Sequence, residues 1–229
     1  MSMLDGIKGI IFDYGGTIDS RGVHWCEILW AGWPRAGVNA DKERFREAYV
    51  HAERELAKHP IIAATDNFLD LLRKKVAIEL DFIGINNTET TENIAQYCYS
   101  QARECVEEAR PVIDALSTRY PLVLVSNFYG NVSAVLADFD LLRYFPKIIE
   151  SAVVGVRKPD PAIFQLGVDA LGFPANEVLV VGDSLKKDIL PAESIGCRTA
   201  WIKGKGWTAD EDAQTHPSQI SLLAALLSD

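Results

Sequence analysis

Three things are scarce in this sequence, and each scarcity narrows what the chain can be. Only four cysteines occur in 229 residues, and Cys26, Cys98, Cys105 and Cys197 are far apart with no CxxC spacing. That excludes a dense disulfide framework and gives no zinc or redox motif. At this length an apolar core can form without such staples, and buried free thiols suit a reducing compartment. Long apolar runs are also missing. The stretch at residues 9–12 is far too short for a secretion signal or a membrane span, so a cytoplasmic protein is expected. Positive charge is the third shortage: 23 Lys and Arg stand against 32 Asp and Glu, a formal net charge of −9. Repulsion then opposes nucleic acid and anionic membranes as main partners. A small anion can still be held where local lysines and a bound metal reverse the sign inside one cleft. No internal repeat or low-complexity tract occurs.

What is present is a set of short, nearly continuous apolar runs at residues 7–12, 122–125, 178–181 and 199–202. Strands covered on both faces look like this. Helical patterns at 111–120, 132–139, 161–171 and 186–195 alternate with them, bounded by Gly, Pro or Asn/Asp/Ser start signals. The alternation predicts a parallel sheet with right-handed crossovers, in which ligands bind beyond the carboxyl ends of the strands. About ninety residues separate the first run from the second, far too many for an ordinary crossover. Within them Phe45, Tyr49, Ala52 and Leu56 share one helical face, as do Phe68, Leu72 and Val76, and Ile94, Cys98, Ala102 and Cys105. The segment therefore reads as an inserted helical bundle. Residues 204–217 read as a polar loop, and 220–227 as a final helix.

Four strand ends carry polar residues: Asp13-Tyr14-Gly15-Gly16-Thr17 after the first run, Ser126-Asn127 after the second, Lys158-Pro159-Asp160, and Gly182-Asp183-Ser184 followed by Asp188. Singly, each has a plain reading as a cap, turn or helix start. In this order and spacing they resemble the four motifs of the haloacid dehalogenase superfamily, over essentially the whole chain.

The resemblance implies an α/β fold: a Rossmann-like three-layer core with a parallel sheet, made by residues 1–18 and 109–229, and a type 1 helical cap at 19–108. It implies a hydrolase of a small phosphorylated metabolite that works through an aspartyl-phosphate. Asp13 would be the nucleophile, and Lys158 would steady it and the phosphoryl group. Gly16, Ser126, Asn127 and Lys158 would bind phosphate, and Asp13, Asp183, Asp188 and the Gly15 carbonyl would hold Mg2+. The physics agrees, because phosphoryl transfer needs charge neutralisation and in-line positioning above all. A hard cation and an ammonium allow one anion to attack another. Gly15 and Gly16 would let the chain turn tightly there. The oligomeric state stays open.

One position departs from the family pattern. Most phosphatases of the family carry a second Asp, the general acid, two residues after the nucleophile, and Gly15 stands there. Three explanations compete: a leaving group that departs unaided, as from an acyl phosphate, anhydride or phosphonate; a proton from His24, His51 or His59, His216 being near the C-terminus; or a catalytically weak phosphate-binding relative. Family dehalogenases also lack that Asp and need no magnesium, but Gly182-Asp183-Ser184 with Asp188 resembles the metal-binding form, which ranks a 2-haloacid dehalogenase below phosphoryl transfer here. Family phosphonatases carry a small residue there and use a cap lysine as a Schiff base, which draws attention to Lys42, Lys58, Lys74 and Lys75. Surface solvation is the plain reading of each. Trp25, Trp30 and Trp33 read first as packing, Arg157 as a surface residue, and the charged run at 41–55 as a solvated helix face.

Overall fold

The computed structural model describes residues 3–228. Each predicted apolar run becomes a strand: β1 (Gly9–Phe12), β2 (Leu122–Ser126), β4 (Val178–Gly182) and β5 (Arg198–Ile202). Apart from Arg198, their residues are buried whichever way they point. Ile10, Phe12, Leu122, Leu124, Leu179 and Val181 join one apolar cluster, while Ile11, Val123, Val125, Val178 and Val180 join another on the opposite face. This is why the sequence shows runs rather than alternation. Two edge strands escaped the pattern, β3 (Lys147–Glu150) and β6 (Gln219–Ile220). The six strands are all parallel, in the order β3-β2-β1-β4-β5-β6. The chain moves outward from β1 through β2 to β3 and then returns to β4 on the other side of β1. The carboxyl ends of β1, β2 and β4 thus surround a topological switch point, where open α/β sheets form their crevices.

Between β1 and β2 lie four helices: α1 (Trp25–Arg35), α2 (Lys42–Lys58), α3 (Phe68–Phe82) and α4 (Thr88–Ser117). Local chemistry sets their starts. The side chains of Asp41, Asn67 and Asn87 each accept from the backbone N–H three residues on, and Asp70 returns the bond to complete a capping box on α3. The apolar faces read from sequence close on one another, with Phe45, Phe68, Leu72, Ile94 and Cys98 in a single cluster. Trp33 is fully buried, and Trp25 and Trp30 pack against the same cluster.

The helix expected to begin at Pro111 is instead the end of α4, which runs unbroken for 30 residues. Pro111 removes one ladder bond, yet Val106 and Ala109 before it and Val112 and Ile113 after it are buried, so packing on both sides holds the helix together. Beyond β2 come α5 (Val132–Asp138), the one-turn α6 (Ser151–Val154) and α7 (Ala162–Leu171). The helix expected at 186–195 divides into a π turn, Leu185–Ile189, and α8 (Leu190–Ser194). Pro191 lies at the start of α8, where its missing N–H costs little. The final segment is also not the expected α-helix, since Ile220, in β6, pairs with Ile202 of β5 and Leu223–Leu227 forms a 3-10 turn. The polar loop at 204–217 contains one short helix, α9 (Ala209–Ala213). Among the described residues no helix is long and apolar enough to cross a membrane, and all four cysteines are free and buried.

Candidate active site

Asp13 follows β1 directly, and its N–H donates to the Val181 carbonyl at 2.9 Å, which ties the ends of β1 and β4 together. Ser126 ends β2, Asp183 follows β4, and Lys158 enters from the loop before α7. These segments deliver one compact cluster. Lys158 Nζ lies 2.6 Å from Asp13 Oδ1 and 2.6 Å from Asp188 Oδ1. Ser126 Oγ is 3.3 Å from Asp13 Oδ1. Thr17 Oγ1 lies 3.0 Å from Asp13 Oδ2 and 3.3 Å from Asp183 Oδ1, and its single proton serves one of them at a time. Oxygens of Asp13, Asp183 and Asp188 fall within 4.8 Å of one another.

Three carboxylates gathered around one ammonium leave surplus negative charge. Burial, then Asp188 and Asp13, push the Asp183 carboxyl well above its ordinary range. Burial also raises Asp13, against the pull of Lys158, and Asp188 adds to the rise. For Lys158 burial works toward the neutral amine, but Asp13 and Asp188 outweigh it and hold the side chain as an ammonium. Such an oxygen-rich, over-negative cluster fits a hard divalent cation, which prefers carboxylate and carbonyl ligands.

The other expected site residues divide. Asn127 lines the cavity, but its side chain clamps the backbone of Lys158: Nδ2 donates to the Lys158 carbonyl at 3.1 Å and Oδ1 accepts the Lys158 N–H at 2.9 Å. Asp188 is likewise committed, because Oδ2 accepts the Ser184 N–H at 2.9 Å while Oδ1 meets Lys158. The Gly16 N–H, expected to face a phosphoryl oxygen, donates instead to Asp19 Oδ1 at 2.7 Å. Gly16 has φ +98°, and a Cβ there would run into the Asp183 carboxylate, so glycine is required. Gly15 differs. A Cβ at that position meets nothing within 4 Å, and its backbone is not in the left-handed region, so the tight-turn reason expected for it does not apply.

Around this cluster opens a cavity of about 630 Å³ between the sheet and helices α1–α3. Of the imidazoles, His24 lines it, with Nδ1 accepting the Cys26 N–H as the cap of α1. Burial first, then Lys187 and Lys75, lower its pKa to about 4, so at neutral pH it is no proton donor. His51 and His59 line a separate cavity, and His216 stands beside Glu193. Lys42, Lys58 and Lys74 pair with Glu27, Glu55 and Asp66. Lys75 is the exception to the surface reading, being buried and facing the cavity.

Sequence reasoning missed Asp19, which is buried and accepts the Trp25 indole N–H at 3.0 Å as well as the Gly16 N–H. Burial pushes its pKa up to about 7. Also missed was Trp207, which reaches the cavity from the polar loop and packs on His24 and Tyr49. An acid two residues beyond the first motif, directly after the apolar Ile18, was the available signal for Asp19; Trp207 had none.

Residues 7–196 match a family model described as haloacid dehalogenase-like hydrolase. A phosphoglycolate phosphatase of Pectobacterium atrosepticum is 43% identical over 210 residues, 87% of this chain and 81% of that protein. A shorter alignment, with Haloacid dehalogenase-like hydrolase domain-containing protein 3 of Danio rerio, shows 41% identity over 33% of this chain and 31% of that protein. Among solved structures, a dehalogenase with an intermediate complex superposes with TM-score 0.66 at 18% identity, covering 96% of each chain. The magnesium-bound HAD-hydrolase YfnB of Bacillus subtilis superposes with TM-score 0.58 at 19% identity, again over 96% of each. At those identities the superpositions speak for the fold alone.

Proposed function

Since the chain belongs to the haloacid dehalogenase-like hydrolase family, we propose that it is a magnesium-dependent phosphohydrolase of a small metabolite, with Asp13 as nucleophile. The observation that carries this reading is the contact of Lys158 with both Asp13 and Asp188, beside a third carboxylate on Asp183. Attack on the carbon of a haloacid requires no divalent cation, whereas a phosphoryl dianion beside an ionised Asp13 does. A cation site next to the nucleophile suits an anionic substrate.

In this reading Asp13, Asp183 and the Gly15 carbonyl hold Mg2+, which supplies charge neutralisation at the phosphoryl oxygens when bound. Asp188 acts chiefly by aiming Lys158, and Asn127 by fixing the Lys158 backbone. Asp13 attacks phosphorus as the bond to the leaving oxygen breaks, and water then attacks the aspartyl-phosphate, releasing orthophosphate and restoring the carboxylate. Ser126 donates to a phosphoryl oxygen. Residues 19–108 act as the cap and exclude water from this chemistry, while residues 1–18 and 109–229 form the core.

The two nearest candidates for the missing general acid at Gly15 are otherwise engaged. His24, with its lowered pKa, does not fill the role, and both Asp19 oxygens are already acceptors. The substrates are therefore esters or anhydrides whose leaving group departs with little help. The four buried free thiols suit a cytoplasmic setting.

A single panel tests the proposal: phosphate release from acetyl phosphate and p-nitrophenyl phosphate with Mg2+ or with chelator, beside halide release from 2-chloropropionate. Metal-dependent phosphate release supports it. Chelator-resistant halide release makes the protein a dehalogenase, and tight phosphate binding without turnover makes it a binding protein.

A further inference from the structure

The cap side of the cavity holds a second polar cluster that the phosphoryl chemistry does not use. Glu53, on α2, receives the Tyr129 hydroxyl, which lies 3.1 Å from Oε1 and 3.0 Å from Oε2. Lys75, on α3, donates to Glu53 Oε1, and its ammonium lies 4.2 Å from the centre of the Tyr49 ring. One helical turn further along α3, Glu79 is fully buried and within electrostatic reach of Lys75. All of Tyr49, Glu53, Lys75 and Tyr129 line the same cavity as Asp13.

The two halves of the ion pair are not equally accessible. The Lys75 side chain is 6% exposed and that of Glu53 is 37% exposed. A molecule in the cavity therefore meets the carboxylate, with the ammonium behind it. Lys75 is also already matched: Glu53 neutralises it, and Glu79 adds further negative charge when ionised. Within the cluster itself no positive charge is left over, while Lys187 lines the same cavity and acts on Glu53 from outside the pair. What the cluster does have is unused acceptor capacity, since a carboxylate offers about four lone-pair sites and the two Glu53 oxygens have only Lys75 and Tyr129 as partners. Charge-assisted acceptance of a hydroxyl or ammonium is strong in such a partly desolvated place, and a carboxylate brought there is repelled.

Resting on the phosphohydrolase reading, we propose that Glu53 is a specificity-determining residue that accepts a hydrogen bond from a hydroxyl or amino group on the leaving group. The site then binds phosphorylated compounds that carry a hydroxyl or amino group there more tightly than those that carry a carboxylate. In this respect it differs from a phosphoglycolate phosphatase. Lys75 and Tyr129 are positioning residues that hold the Glu53 carboxylate toward the cavity. Lys75, kept protonated by Glu53, is no free amine for Schiff-base chemistry.

The test is equilibrium binding to the Asp13→Asn protein with Mg2+, measured by calorimetry for three esters of similar size: glycerol 3-phosphate, phosphoethanolamine and phosphoglycolate. Glycerol 3-phosphate or phosphoethanolamine is expected to bind at least tenfold more tightly than phosphoglycolate, and the tighter of the two identifies the donor as hydroxyl or ammonium. Adding Glu53→Gln frees Lys75 and is expected to tighten phosphoglycolate at least tenfold while weakening the other two. Tyr129→Phe, which keeps the ring and removes only one bond to Glu53, is expected to narrow the ratio, and it serves if Glu53→Gln does not fold. Equal or tighter binding of phosphoglycolate with Glu53 in place overturns the proposal, as does a ratio unmoved by both substitutions. Because the readout is binding, a wild-type protein that fails to release phosphate from p-nitrophenyl phosphate contradicts the phosphohydrolase reading while leaving this ratio measurable. Failure of all three esters to bind contradicts both.

Discussion

The Lys158 ammonium lies 2.6 Å from Asp13 Oδ1, with side-chain exposures of only 2% and 7%. In so dry a place the pair is a strong contact, and losing one partner leaves the other charge stranded. Lys158→Met leaves Asp13, Asp183 and Asp188 facing one another. Urea unfolding without metal at pH 8 is expected to show a loss of about 3–5 kcal/mol. The loss is expected to shrink at pH 5, where the crowded carboxylates take up protons. An equal loss at both pH values contradicts the charge assignment.

Gly15 offers a gain-of-function test. A Cβ there meets no heavy atom within 4 Å, so Gly15→Asp fits without moving the chain. A carboxyl at that position supplies a proton to the leaving oxygen, and general acid catalysis is typically worth about 10²–10⁴-fold. Turnover of alkyl phosphates is expected to rise on the order of 10²-fold, with acetyl phosphate nearly unchanged. A flat response across leaving groups refutes the account of the missing acid.

Metal binding has a readout that needs no catalysis. Excess Mg2+ stabilises any native state that binds it, by about 2.7 kcal/mol at a hundredfold excess over Kd. Tm is therefore expected to rise by several degrees with Mg2+ in the wild type and to stay fixed in Asp183→Asn. If Asp183→Asn responds like the wild type, the cation binds elsewhere.

Glu79 makes stability depend on pH. Its ordinary value of 4.5 is pushed up to about 7, by burial first, with Lys75 opposing and Glu53 adding to the rise. A folded value above the unfolded one means that the native state binds the proton more tightly, so this contribution is complete below pH 4.5 and is lost as pH rises through 7. At ~1.4 kcal/mol per pH unit the effect is on the order of 3 kcal/mol. Glu79→Leu is expected to flatten the wild-type decline between pH 5 and pH 8 by that much. Parallel curves for the two proteins show that Glu79 ionises normally in the folded state.

Strands buried on both faces were legible from sequence because every residue must be apolar, as in Ile10-Ile11-Phe12. The edge strand at Lys147–Glu150 shows only two apolar residues, and β6 pairs through Gln219 and Ile220 alone, so neither stands out from a loop. Asp13, Ser126, Lys158, Asp183 and Asp188 were readable as candidates because each lies in a short segment at a strand end or in the turn beside one. Glu53 and Tyr129 were not, since they are 76 residues apart and each resembles an ordinary surface or turn residue until the cap is laid over the sheet. Asn127 illustrates the converse: its position was legible, but its use as a backbone clamp on Lys158 depends on tertiary geometry that no local pattern encodes.

The covalent step at Asp13 is tested most directly by acid-quenching the protein with Mg2+ and ³²P-labelled acetyl phosphate, then mapping the labelled peptide. The account predicts label on the peptide containing Asp13, discharged on chasing with water and absent from Asp13→Asn. Phosphate release by a protein that never becomes labelled, or undiminished release by Asp13→Asn, contradicts it.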